Sequence, residues 1–327
     1  MSETGEIVIC GGKKSYTRAL EHYILVLLDS MTIQDVAMHL KMSWHTVKEI
    51  DKAYLNKHFS KPRLKDVEYI AIDEFAYKKG RKYKTVVYDL KEGRAIFVGD
   101  GRSSETLDPF WKKLRSSGAK LKAVSTDMCR AYWGSVKRNS PGSLVIFDLF
   151  HIVKLCNKCL DDIRIMLYHK EKDINKRTLI RSSKWVVLKN KENLSDEVKK
   201  EGKPPEVEQL EQALGVNQPL AATYYLKEEL KQIWRQKTKK KAGLELEKWI
   251  IKARSIGLMH LDKFANTLQA HIPEILNWYD YPISTGPLEG FNNKIKVLKR
   301  KAYGYRDDEY FALKILSLHQ SRYALLR

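Results

Sequence analysis

Tyr69-Ile70-Ala71-Ile72-Asp73-Glu74-Phe75 marks where the chain turns from helical to extended. It is a short run rich in β-branched and aromatic residues, and Lys61-Pro62-Arg63 sets it off from what precedes it. The pattern predicts a buried strand over residues 67–75 that places an acid, Asp73, at the end of its apolar run. Two similar runs follow at residues 83–90 and 94–98, with Lys91-Glu92-Gly93 as the turn between them, so a three-stranded meander is expected. Further on, the periodicity predicts a helix over 103–116, a strand over 123–126, a helix over 128–138 and a strand over 144–147. The element order is βββαβαβ, an α/β arrangement.

Upstream, apolar residues recur at helical spacing in Leu20, Tyr23, Ile24 and Leu27, then in Val36, Ala37 and Leu40, then in Val47 and Ile50. Three short helices with Thr32 and Ser43 as caps and Lys41-Met42 as the turn read as a helix-turn-helix. The third helix would expose His45, Thr46, Lys48 and Lys52 on its outer side, the side laid in a major groove. A three-helix packing module without a DNA role gives the same pattern. Downstream of His151 the chain turns helical and lysine-rich to about Tyr281, with Glu201-Gly202-Lys203-Pro204-Pro205-Glu206 as its clearest loop. The amphipathic spacing of Tyr224, Leu226, Leu230, Ile233 and Trp234 argues for a folded helical insertion there and against a linker.

Composition narrows the partners. The 327 residues carry 60 Lys and Arg against 40 Asp and Glu, a formal charge of +20, which points to a polyanion, and nucleic acid fits better than acidic lipid. The longest apolar run, residues 23–28, is far short of the ~20 residues that span a bilayer, so no membrane partner is expected. Met-Ser-Glu-Thr-Gly-Glu at the start has no basic and apolar regions of a secretory signal, which makes the cytoplasm the expected location. Cys10, Cys129, Cys156 and Cys159 make no disulfide framework. Cys156 and Cys159 have CxxC spacing but fall in a helical pattern without a second pair, so buried thiols are the expected reading.

Asp73 and Asp127 each close an apolar strand. An ionised carboxylate beside a core is unfavourable by several kcal/mol unless a cation or water compensates it, and a divalent ion would do so. Each Asp could instead merely cap the helix that follows. A third acid stands in Thr285-Gly286-Pro287-Leu288-Glu289-Gly290-Phe291-Asn292-Asn293-Lys294-Ile295-Lys296. At 100° per residue Phe291, Ile295, Leu298 and Ala302 form one stripe, and Glu289, Asn292, Asn293, Lys296 and Arg300 gather opposite. One face packs; the other sets a single acid among groups suited to phosphate contact.

The strings Ile72-Asp73-Glu74-Phe75-Ala76, Thr126-Asp127-Met128, Phe147-Asp148-Leu149-Phe150-His151 and Gly286-Pro287-Leu288-Glu289-Gly290-Phe291-Asn292-Asn293-Lys294-Ile295-Lys296, followed by Tyr303-Gly304-Tyr305-Arg306, resemble the signatures of DDE transposases from bacterial insertion sequences of the L-three family. The resemblance covers nearly the whole chain. It implies an RNase H-like mixed sheet with a large all-α insertion, preceded by the all-α helix-turn-helix. The expected division is 1–60 for the helix-turn-helix, 61–154 for the first part of the core, 155–282 for the insertion, and 283–327 for the Glu289 helix and a C-terminal helix. It further implies that Asp148 and His151 match an Asp-x-x-His element of accessory role. Family members usually carry a cysteine-rich, zinc-binding module ahead of the helix-turn-helix, and here Cys10 alone precedes it.

The reaction so implied is phosphoryl transfer in which Asp73, Asp127 and Glu289 hold two Mg2+ ions, with Mn2+ as a possible substitute. Lys294, Lys296, Lys299, Arg300 and Lys301 would position the phosphate backbone of double-stranded DNA, at element ends and target, beside Asn292 and Asn293. A homo-oligomer on DNA is expected by analogy, because two ends must be brought together. Two alternatives stand: a catalytically silent, transposase-derived DNA-binding regulator, and a structure-selective nuclease on the same core. Survival of all three acids speaks against the first, and the helix-turn-helix against the second.

Overall fold

The computed structural model describes residues 16–78, 80, 82–197, 204–283 and 286–318, so Cys10 and part of the loop expected at 201–206 lie outside the described residues. The described residues open with α1 (Arg18–Ser30), α2 (Ile33–His39) and α3 (Trp44–Phe59). Their starts are fixed by side-chain oxygens that accept orphan N–H groups: Thr17 from Leu20, Thr32 from Asp35 and Ser43 from Thr46. Asp35 returns a bond to the Thr32 N–H and completes a capping box. Between α2 and α3 the chain reverses through Lys41, whose φ is 51°.

The meander is β1 (Tyr69–Lys78), β2 (Lys82–Asp89) and β3 (Arg94–Asp100), all antiparallel. β1 runs past Phe75 because the ladder with β2 continues to the pair Lys78 and Lys82. Pairing here carries polar residues that the apolar pattern alone does not mark as strand. The turn between β2 and β3 rests on Gly93 at φ 68°, a conformation only glycine adopts freely. A 3-10 turn over Ser104–Leu107 leads into α4 (Asp108–Ser117), which begins later than the periodicity suggests because Pro109 suits a first helical turn and no interior position. β4 (Ala123–Thr126), α5 (Arg130–Asn139) and β5 (Leu144–Phe147) follow, the last strand parallel to β4. The strands form one mixed sheet in the order β3-β2-β1-β4-β5. The fold is α/β and RNase H-like, with the helix-turn-helix ahead of the sheet.

The helical stretch consists of α6 (Leu149–Lys170), α7 (Ile174–Ser182), α8 (Lys184–Leu188), α9 (Glu206–Gly215), α10 (Gln218–Leu230), α11 (Lys239–Ser255), α12 (Met259–Ala270) and α13 (Ile272–Leu276). The described residues close with α14 (Gly286–Lys301) and α15 (Asp308–Ser317). By internal contacts the chain divides into one unit of residues 1–122 with 285–327 and another of 123–284.

In the first unit a single apolar core joins Ile24, Val36, Val47, Ile50, Leu55 and Phe59 of the three N-terminal helices to Ala71, Val86 and Tyr88 of the sheet. The same core takes in Phe291 and Ile295 of α14 and Phe311 of α15. The helix-turn-helix is therefore welded to the strand and the helix that carry Asp73 and Glu289. In the second unit α6 buries Ile152, Leu160 and Ile163, and the Trp249 indole N–H donates to the Leu226 carbonyl at 2.8 Å. Cys156 and Cys159 are buried on α6, and desolvation pushes both thiols up to about 12, as buried thiols should be. Among the described residues no helix is long and apolar enough to cross a membrane.

Candidate active site and DNA-facing helices

Asp73 sits in β1 opposite Val86, half-buried. Its Oδ1 accepts the Glu74 N–H at 2.8 Å, and its Oδ2 accepts the Asn292 side-chain amide at 2.7 Å. Asn292 belongs to α14, one helical turn beyond Glu289, so β1 and the Glu289 helix are tied by a charge-assisted bond as well as by core packing. The buried stripe of α14 is Leu288, Phe291, Asn292 and Ile295, and Ala302 is exposed. This corrects the stripe expected from the sequence, which put Asn292 on the outer, DNA-facing side. The physical reason is the acid across the gap: Asp73 supplies the acceptor that makes an amide tolerable at an inward position. Glu289 itself is exposed.

The donor set fits a hard divalent cation on one observation. The Oδ1 of Asn292 is buried and has no hydrogen-bond partner, although the other end of the same amide is bound to Asp73. An orphaned amide oxygen beside a carboxylate is an oxygen-ligand environment of the kind such ions prefer.

In the second unit Asp127 directly follows β4 and Asp148 directly follows β5, and the strands pair Thr126 with Phe147. Two acids thus leave the same, C-terminal edge of two parallel strands. Asp127 accepts the Cys129 N–H at 2.9 Å, which delays the start of α5 beyond the expected position. Asp148 caps α6 by accepting the Phe150 N–H at 3.2 Å, and its Oδ2 lies 3.8 Å from the His151 Nε2. Behind them the hydroxyls of Ser125 and Thr126 are buried without hydrogen-bond partners. Asp73 is thus tied to α14, Asp127 and Asp148 follow the paired strand ends, and His151 lies beside Asp148; among the described residues no group of three or more His, Cys, Asp or Glu is assembled as a metal-ligand set.

On α3, His45 is exposed and Thr46 half-buried. Lys48 and Lys52 do not stand free on the outer side as the sequence suggested. Lys48 donates to Asp307 at 2.7 Å and Lys52 to Asp307 at 3.1 Å, and Lys52 also pairs with Glu309 at 2.7 Å. Asp307 caps α15 through the Tyr310 N–H at 2.9 Å. Burial alone would raise its carboxyl, but the bonds from Lys48, the Tyr310 N–H and Lys52 together outweigh burial and hold it well below the usual range. Beneath this clamp Asp51, fully buried, accepts from the Tyr310 hydroxyl and from Lys314, the latter at 2.8 Å. Sequence reasoning missed Asp51, although an acid between Ile50 and Tyr54 on an apolar stripe is itself a signal of a buried partner. On α14, Asn293, Lys294, Lys296 and Arg300 are exposed and Lys299 is half-buried, an open basic face.

The chain matches the family model of the ISL3 DDE transposase over residues 70–315 and that of the helix-turn-helix domain of transposase family ISL3 over residues 13–55. It is 38% identical over 292 residues to the transposase for insertion sequence element IS1001 of Bordetella parapertussis, covering 88% of this chain and 70% of that one. It is 23% identical over 328 residues to the transposase for IS1557 of Mycobacterium tuberculosis, covering 93% and 72%. Among solved structures, the Drosophila P element transposase strand transfer complex aligns with a TM-score of 0.44 at 10% identity over 97% of this chain and 95% of that one. The family matches and the IS1001 relative define the class as a DNA transposase, an enzyme of phosphoryl transfer. Within that class the chain belongs to the ISL3 family of insertion-sequence transposases.

Proposed function

We propose that this chain carries out divalent-metal-dependent strand cleavage and strand transfer at the ends of an insertion sequence, with Asp73, Asp127 and Glu289 as the metal ligands. The observation that carries the reading is the Asn292 amide bound to Asp73 from the helix of Glu289, with its own oxygen left unpartnered. Bound Mg2+, or Mn2+ in its place, supplies activation of water or a 3′-hydroxyl and stabilisation of the leaving oxygen. Asn292 orients the Asp73 carboxylate. Asp148, fixed as a helix cap, keeps His151 close to the Asp127 edge, where the imidazole can orient DNA or a neighbouring acid.

Exposed Asn293, Lys294, Lys296 and Arg300, with Lys299, hold the phosphate backbone, and His45 and Thr46 at the start of α3 read the cognate end. Lys48 and Lys52 serve DNA binding indirectly, by fixing α3 against α15. The working form on DNA is a homo-oligomer, since joining two ends in one reaction needs two sites.

The test measures cleavage and binding on the same preparations with terminal element DNA. Asp73→Asn, Asp127→Asn and Glu289→Gln should each nearly abolish magnesium-dependent cleavage and leave DNA binding intact. Unchanged cleavage in Asp127→Asn would overturn the ligand assignment. A folded, end-binding wild type that never cleaves would leave a DNA-binding regulator instead.

A further inference from the structure

The end of α14 is built around a tyrosine where a glycine is expected. The Gly304 N–H donates to the Lys299 carbonyl at 2.9 Å and the Tyr303 N–H to the Arg300 carbonyl at 3.0 Å, the paired bonds of a Schellman closure. In that motif the residue in the left-handed conformation is normally glycine; here it is Tyr303, at φ 52°. No packing compensates for the strain, because the Tyr303 side chain is fully exposed, at 101%. Tyr305, two residues on, behaves as a structural aromatic should: its ring stacks on Phe311 at 4.6 Å. A bulky ring in a disfavoured conformation with nothing against it points to a ligand.

The surroundings say which ligand. Tyr303 lines a groove of about 1640 Å³ together with Trp44, the first residue of α3, which is 47% exposed. Arg300, Lys301 and Arg306 line the same groove, and among the described residues neither arginine has an ion-pair partner. Two of the acids lining it are engaged: Asp307 with Lys48 and Lys52, and Asp35 with Thr32. Lys301 donates to the Ser30 carbonyl at 2.8 Å and so fastens the end of α14 to the end of α1. Aromatic faces set among unpaired guanidinium groups match the chemistry of an unpaired nucleotide, with the base stacked on the rings and its phosphates held by arginine.

We propose that Tyr303, with Trp44, Arg300 and Arg306, forms a binding site for a single-stranded segment of DNA, Tyr303 stacking on an unpaired base. This rests on the transposase reading above and adds to it a subsite for unpaired nucleotides. A double helix offers no free base face, so the site distinguishes opened or recessed ends from intact duplex.

The probe is a short single-stranded oligonucleotide carrying 2-aminopurine, with affinity and fluorescence measured on the full chain beside affinity for a duplex of the same length. Tyr303→Gly relieves the backbone strain, so its thermal midpoint should equal or exceed that of the wild type, while oligonucleotide affinity should fall about tenfold and duplex affinity far less. Tyr303→Trp should keep the affinity and the 2-aminopurine quenching. Wild type that binds duplex but not the oligonucleotide would overturn the subsite and leave the transposase reading standing. So would Tyr303→Gly with unchanged oligonucleotide affinity, or one that loses only self-association. Wild type that binds neither form of DNA would overturn both.

Discussion

Asp307 offers the sharpest test of how α3 is held. Asp307→Ala removes a helix cap and two charge-assisted bonds at once, those from Lys48 at 2.7 Å and Lys52 at 3.1 Å. A cap is worth about 1 kcal/mol. Hydrogen bonds to a charged group are worth about 1.5–3 kcal/mol when shielded and solvent-screened ion pairs about 0.2–1, and the 25% exposure of the Asp307 side chain argues for about 0.5–1 per pair, so the two pairs together contribute about 1–2 kcal/mol. Asp307→Asn separates the two effects, because asparagine caps as well as aspartate but carries no charge. Urea unfolding at neutral pH should show a loss of about 1–2 kcal/mol for Asp307→Asn and about 1 kcal/mol more for Asp307→Ala.

The pH dependence has a definite sign. Because the folded-state pKa of Asp307 is depressed, its contribution is fully present above the unfolded value near 4 and is lost as pH falls through the lower folded value. The gap between wild type and Asp307→Asn should therefore be flat from neutrality to about pH 5 and shrink below about pH 4. An Asp307→Asn protein as stable as wild type at pH 7 would refute the clamp. So would a Lys48→Met, Asp307→Asn double variant whose losses simply add, since bonded partners must couple.

Asn292→Ala should keep the fold but reduce cleavage about 10- to 100-fold and raise the magnesium concentration needed, as seen when a group that orients a ligand is removed; a magnesium titration of activity checks it. Phe291→Ala should destabilise by about 3–5 kcal/mol in urea unfolding, since the ring is fully buried with its centroid 5.1 Å from that of Tyr88. Gly99→Ala should destabilise by about 1–3 kcal/mol in the same assay, because a Cβ there would meet the Thr106 side chain at 2.7 Å and its backbone oxygen at 3.0 Å. In a Cys10→Ser background, iodoacetamide at pH 8 should label half-buried Cys129 in the native protein and reach Cys156 and Cys159 only after denaturation, read by mass spectrometry.

Local features were legible in the sequence. β4 and β5 fall where their apolar runs lie, and Thr32 and Ser43 cap the helices they were expected to cap. These features depend on residues within one turn or one strand, so spacing and residue type suffice to read them. The family, too, was legible, because its motifs are short strings in fixed order.

Tertiary structure decided which way the polar residues at the edges of helical stripes turn. Helical phase places Asn292 near the border of the packed arc of α14; Asp73, 219 residues away in sequence, draws it inward. Lys48 and Lys52 have the phase of a DNA-facing pair, yet Asp307, 259 residues beyond Lys48, claims them. Asp51 would be intolerable in its stripe without Tyr310 and Lys314 from α15. In each case the deciding group is an opposite charge or a hydrogen-bond partner brought close only by folding. A one-dimensional pattern fixes the direction of a side chain to within an arc, and the electrostatics of a distant partner settles whether that arc is core or surface.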